Sequence, residues 1–242
     1  MTTPSREEYP APPLAILVNG SSSSGKSTLC RALLDRLTDL ADGDPRAAFA
    51  RVAFDDLGLL IPDKLFPISY VRLQRGDEGR LSSRVPFDGR ASWEYVDESH
   101  AEGKHGGSPR MRIVLNPHGQ CLLKGLQRSW GLHLQLGTHL MIDHFIQDAQ
   151  WYEDLMEMLQ KSGARLFSIG VFCSLAELER RESFRGDGKL EERPLGLARR
   201  SDELCDAHPL VYDVTVQSDR ESTEESVDRI VAALRAGRHI AD

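Results

Sequence analysis

The chain has 242 residues, 40% hydrophobic and 28% charged, enough apolar matter for the core of one large domain or of one domain with an inserted segment. Lys and Arg number 30 against 37 Asp and Glu, and the resulting charge of −7 disfavours broad nucleic-acid binding, because a polyanion needs a basic face. No apolar run approaches the roughly 20 residues that a bilayer span requires, so no membrane partner is expected.

Residues 1–13, MTTPSREEYPAPP, carry acids and prolines where a signal peptide needs a basic and then an apolar stretch, and they are expected to be a disordered lead. Residues 14–242 then form a single domain. The four cysteines, Cys30, Cys121, Cys173 and Cys205, lie far apart with no CxxC pair, which fits a reducing, cytoplasmic setting.

A short apolar run, Leu14 to Val18, predicts a first strand. The stretch from Lys26 to Leu40, with Leu29, Leu33, Leu34, Leu37 and Leu40 at helical spacing, predicts a helix. Between them lies Gly20-Ser21-Ser22-Ser23-Ser24-Gly25-Lys26-Ser27, followed by Thr28. A serine run usually reads as flexible linker, but a loop of the form GxxxxGK[ST] between a strand and a helix is a phosphate cradle. The glycines let the backbone wrap so that successive N–H groups face a phosphate, and the helix N-terminus adds partial positive charge. Lys26 reaches the β and γ phosphates, and Ser27 offers its hydroxyl to Mg²⁺.

AFARVAFDDL predicts a second buried strand ending in Asp55 and Asp56, at the sheet edge where ligands of open α/β folds bind. From about 65 to 112 the chain turns polar, glycine-rich and weakly periodic, which predicts an inserted, acceptor-side segment. Trp93 and Tyr95 within it are candidates for either ligand contact or packing. MRIVLNPHGQCLL then predicts a hairpin turning at Asn116-Pro117-His118-Gly119.

THLMIDHF predicts a strand whose end places Asp143 as a second carboxylate for Mg²⁺, with His144 beside the acceptor. The histidines follow no metal-binding spacing, so no zinc site is expected. WYEDLMEMLQKSG predicts a helix closing near Gly163, and RLFSIGVFC a central parallel strand. SLAELERRESFR predicts a further helix, YDVTVQS a last strand, and STEESVDRIVAALRAG a capped amphipathic helix. Arg180, Arg181, Arg185, Arg193, Arg199 and Arg200, interrupted by glycines, suit a hinged basic lid over about 180–200. Strands alternating with helices predict an α/β fold, a parallel sheet covered on both faces.

A phosphate cradle names a nucleotide but no reaction. No [NT]KxD element for guanine follows, and the chain is short for a motor ATPase, which leaves a small-molecule or nucleotide kinase. The pieces ILVNGSSSSGKST, FDDL, LMIDHF, RRESFRGD, RPLGLAR and YDVTVQSDRESTEESVDRIVAAL together resemble the chloramphenicol phosphotransferase-like kinases. That resemblance implies a P-loop kinase fold and transfer of phosphate from ATP, with Mg²⁺, to a hydroxyl of a small molecule. Inactivation of an antibiotic is its expected use. It places the acceptor base on Asp55 and the lid arginines on Arg181 and Arg185. The surplus between 65 and 112 and the extra GKLEE depart from the family's compact core, so the acceptor transfers least well. A toxin-type sugar-nucleotide kinase and a nucleotide-binding regulatory module are the competing readings.

Overall fold

Five strands hydrogen-bond in parallel in the order β2-β5-β1-β6-β7, within a computed structural model that describes residues 12–61, 92–98, 108–184 and 195–240. The strands are β1 (Leu14–Gly20), β2 (Phe49–Ala53), β5 (His139–Asp143), β6 (Arg165–Phe172) and β7 (Val214–Gln217). Every residue of β1 is buried, as a strand covered on both faces requires. The side chains alternate accordingly. Ile16 and Val18 pack with Leu29 and Leu33 of α1 (Lys26–Leu40) and Ile230 of α7 (Thr223–Ala236). Ala15 and Leu17 pack with Trp130 and Leu134 of α3 (Pro117–Gln135) and Leu155 of α4 (Ala149–Ser162).

A second, two-stranded antiparallel sheet, β3 (Trp93–Asp97) with β4 (Met111–Leu115), lies over the carboxyl edge of the main sheet. It buries Trp93, Ile113 and Leu115 against Phe54, Phe145, Trp151 and Leu197. Trp93 thereby serves packing. Two further helices are α5 (Leu175–Phe184) and α6 (Leu197–Leu204), and a short α2 (Leu57–Leu60) follows a 3-10 turn at Phe54–Asp56. Among the described residues no helix is long and apolar enough to cross a membrane.

Two expectations need correction. The hairpin expected at Asn116-Pro117 is the start of the 19-residue α3, in which the Asn116 side chain accepts from Gly119 N–H and Pro117 occupies the first turn. Asn before Pro suits an N-cap as well as a turn, because the missing proline N–H is one the first turn leaves unpaired anyway. The buried second strand is in fact an edge strand, with Ala50 and Arg51 exposed.

Candidate active site

The P-loop leaves β1 at the centre of the sheet and runs into α1, so its backbone sits over the carboxyl edge. Gly25, at φ +94°, makes the turn into the helix in a conformation that other residues rarely adopt. Ser23 holds φ +66° without being glycine, a strained geometry of the kind that clusters at functional loops. The hydroxyls of Ser23 and Ser24 are buried with no partner among the described residues. Orphaned donors in a loop of this shape fit phosphate oxygens.

The loop is braced from both sides. Ser22 N–H donates to the buried Ser201 Oγ of α6 at 2.8 Å. On the other side Ser218 Oγ donates to Ser24 O at 2.6 Å, and Arg181 Nη2 to Ser218 O at 2.9 Å.

Beside the loop lies a cavity of about 450 Å³. Its P-loop wall holds Ser22, Ser23, Lys26, Ser27 and Thr28. Asp55, Asp143 and His144 line it too, with Phe54, Ile113, Phe145 and Leu197 as its apolar part. Lys26 Nζ donates to Ser21 O at 2.7 Å, and burial lowers the pKa of its ammonium although Asp143 and Asp55 pull the other way. Ser27 Oγ donates to Asp143 Oδ2 at 2.8 Å. A hydroxyl and a carboxylate converging beside a phosphate cradle are hard oxygen donors suited to Mg²⁺. One carboxylate suffices when substrate phosphates and waters supply the remaining ligands. No cluster of three or more acidic, His or Cys side chains able to hold a metal occurs among the described residues.

The two adjacent aspartates part company. Asp56 Oδ2 accepts Ala53 N–H at 2.8 Å and closes the turn after β2, while Asp55 is exposed and lines the cavity. His144 is fully buried, its Nε2 at 3.3 Å from the Gln127 amide, and burial brings its pKa down to about 4.

Arg181 does not line this cavity. It borders a separate recess of about 530 Å³ with Ser174, Glu177, Ser218 and Asp219, across the P-loop. Arg185 and Arg193 lie outside the described residues, and so does most of the inserted segment. Arg180 pairs with Glu177, Arg199 with Glu179, and Arg200 with Glu98 and Glu203.

Three of the motif residues that carried the resemblance, Glu182, Tyr212 and Asp213, act as clasps. Glu182 is buried and accepts Gly196 N–H at 2.8 Å and Ala198 N–H at 2.7 Å, tying α5 to the start of α6. Gly196 sits at φ +97°, where an added Cβ would lie 2.5 Å from the Pro109 carbonyl carbon. Tyr212 takes a hydrogen bond from the Asn19 amide at 2.8 Å, and Asp213 accepts from Ser168 N–H at 2.7 Å. Reasoning from sequence missed Arg51, Ser201 and Ser218. Arg51 alone left a trace, as a lone charge in a five-residue strand.

The phosphate cradle at the centre of a five-stranded parallel sheet is the architecture of a P-loop kinase fold. The chain belongs to the chloramphenicol phosphotransferase-like protein family, whose profile matches residues 100–235. That span holds Asp143 and Glu182, whereas the P-loop and Asp55 precede it. Among curated proteins no relative matches. Solved structures share the fold at low identity. The APS kinase of Mycobacterium tuberculosis, in complex with AMPPNP and APS, is 15% identical, with 93% of this chain and 99% of that chain covered and a TM-score of 0.53. A sugar kinase from Janibacter is 14% identical, with 93% and 95% covered and a TM-score of 0.54. The family and fold together support an ATP-type nucleotide and a small-molecule acceptor.

Proposed function

We propose that the protein transfers the terminal phosphoryl group of ATP to a hydroxyl of a small molecule, antibiotics being one acceptor class to test. The observation that carries this reading is the convergence of Ser27 and Asp143, 2.8 Å apart beside Lys26, in one cavity with Asp55. Ser27 and Asp143 would hold Mg²⁺, which would supply charge neutralisation on the phosphates. Lys26 leaves the Ser21 carbonyl to meet the same phosphates. Asp55 accepts the hydroxyl proton as the acceptor oxygen attacks. Arg181 meets the nucleotide from the recess side of the P-loop, and Arg185 is assigned to the transferring group on the family resemblance.

The apolar part of the lining, Phe54, Ile113, Phe145 and Leu197, favours an acceptor with an apolar body over a sugar nucleotide. A sugar nucleotide's diphosphate would seek cations, and among the described lining residues only Arg31 stands outside the P-loop as one. The test is a labelled-ATP screen over hydroxyl-bearing antibiotics, metabolites and sugar nucleotides, read by mass spectrometry for one added phosphate. A protein that binds ATP, yet whose turnover rises with none of these acceptors, is a regulatory module instead.

A further inference from the structure

Asp143 Oδ2 has a second partner that the kinase reading does not use. Arg51 Nη2 donates to it at 2.6 Å, so a guanidinium and the Ser27 hydroxyl share one carboxylate oxygen. The fold places this pair by register. β2 runs parallel to β5 with Arg51 opposite Met141 and Ala53 opposite Asp143. Met141 packs on the α1 face of the sheet, and period-two alternation puts Asp143 on that face too. Val52 packs on the opposite face, which turns its neighbour Arg51 toward α1. Arg51 therefore stands one rung behind Asp143 on the adjoining edge strand, and its long side chain reaches forward to the carboxylate.

The electrostatics make this more than a surface pair. The Asp143 side chain is only 7% exposed, and a carboxylate so enclosed needs a countercharge. Lys26 lies within electrostatic reach, but its ammonium is hydrogen-bonded to Ser21 O. Arg51 supplies a full charge in a short, charge-assisted hydrogen bond. The oxygen it holds is one that a divalent cation at Ser27 and Asp143 would use. Guanidinium and metal are both cations, and they compete for it. The Arg51 side chain is 35% exposed, so it has somewhere to go when displaced.

We infer that Arg51 is the resident counter-cation of Asp143, holding the metal position closed to free divalent ions until a nucleotide's phosphates bring enough negative charge to displace it. On this view metal enters as the metal–nucleotide complex. Arg51 is a positioning residue, acting through Asp143. The inference rests on the reading of Asp143 as the metal-supporting carboxylate.

The test is Mn²⁺ titration of the full chain, followed by loss of the free-ion electron paramagnetic resonance signal, with and without ADP. Without nucleotide, Arg51→Gln should bind Mn²⁺ at least about tenfold more tightly than the wild type, which corresponds to about 1.4 kcal/mol. With ADP present the difference should shrink to about threefold or less, because phosphates then supply most of the attraction. The gain should vanish in the double variant Arg51→Gln/Asp143→Asn, and Arg51→Lys, which keeps the charge, should stay close to wild type. A measurement on the wild type covers the case in which Arg51→Gln does not fold. The Arg51 side-chain N–H resonance should be protected in the free protein and with ADP alone, and should shift and lose protection on adding Mg²⁺–ADP. Equal Mn²⁺ affinity of wild type and Arg51→Gln, with ADP enhancing binding in both, overturns the Arg51 proposal and leaves the kinase reading standing. So does a gain that survives loss of the Asp143 carboxylate, or an Arg51 resonance unchanged by Mg²⁺–ADP. Failure of ADP to bind or to enhance Mn²⁺ binding in any variant overturns both.

Discussion

Asp55 and Asp56 are neighbours in the chain with separate employment, and that separation can be measured. The Asp56 carboxylate closes a turn, so Asp56→Ala should cost about 1 kcal/mol in thermal stability while leaving phosphoryl transfer nearly intact. Asp55 lines the cavity, so Asp55→Asn should remove transfer while calorimetric ATP affinity stays within about twofold. The opposite pattern would reverse the assignment. Lys26 gives a different signature. Its lowered pKa means that burial penalises the charge more than the nearby carboxylates favour it. The folded chain therefore sheds this proton at a lower pH than the unfolded chain, and stability contributed by the site rises as pH climbs toward the free-lysine value. Lys26→Met should abolish transfer by about a thousandfold or more while melting no lower than wild type near neutral pH. His144 has the acid-side counterpart. With a folded pKa of about 4 against about 6.5 unfolded, its neutral form stabilises the fold above the unfolded value, and that stability is lost as pH falls between the two. A His144→Gln protein should lack this slope, differing from wild type by up to about 3 kcal/mol across the window.

At the scale of elements, Glu182 fastens α5 to α6. Glu182 on α5 accepts two N–H groups at the start of α6, and burial raises its pKa against the pull of those donors. Glu182→Gln offers one acceptor oxygen to two backbone donors and should cost about 1–3 kcal/mol, with faster amide exchange at 196–201 before any global unfolding. Strong periodicity gave β1, α1, α4 and α7 with near-correct ends, and strand–loop–helix order made the P-loop readable from its own residues. The carboxylates at strand ends followed from the architecture of open α/β sheets. Three features stayed hidden because they depend on distant partners. Asn116-Pro117 reads equally as turn or N-cap until Leu123, Trp130 and Leu134 have a sheet to pack on. The eight-residue α6, rich in arginine, declares itself only through Glu182 and Ser201. Arg51 looks like an ordinary edge-strand charge until parallel pairing brings Asp143 within 2.6 Å. Motif residues legible through family resemblance, such as Glu182, Tyr212 and Asp213, proved to hold elements together.

Across the whole molecule, the β3–β4 sheet is joined to the start of α6. Met111 N–H donates to Gly196 O at 3.0 Å, which stitches β4 to the start of α6. Alternating charges extend the seam. Arg110 pairs with Glu203, Glu203 with Arg200, Arg200 with Glu98, and Glu98 with Arg112, which also approaches Asp148 at the start of α4. Each such pair contributes little alone at this exposure, but a shared network with a backbone hydrogen bond can move as one body. The β3–β4 sheet also lines the cavity through Ile113, while α6 reaches the P-loop through Ser201. Under the proposed function, an acceptor bound against Ile113 would load the same helix that braces the phosphate cradle. Glu98→Gln removes the shared acidic partner of Arg200 and Arg112 without changing side-chain size. The expected outcome is an acceptor KM raised about three- to tenfold, with ATP affinity unchanged and kcat reduced less than KM is raised. Amide exchange should quicken together in 93–97, 111–115 and 197–204. Faster exchange confined to β3, with α6 protected as before, would show that the two parts move separately and that the seam transmits nothing.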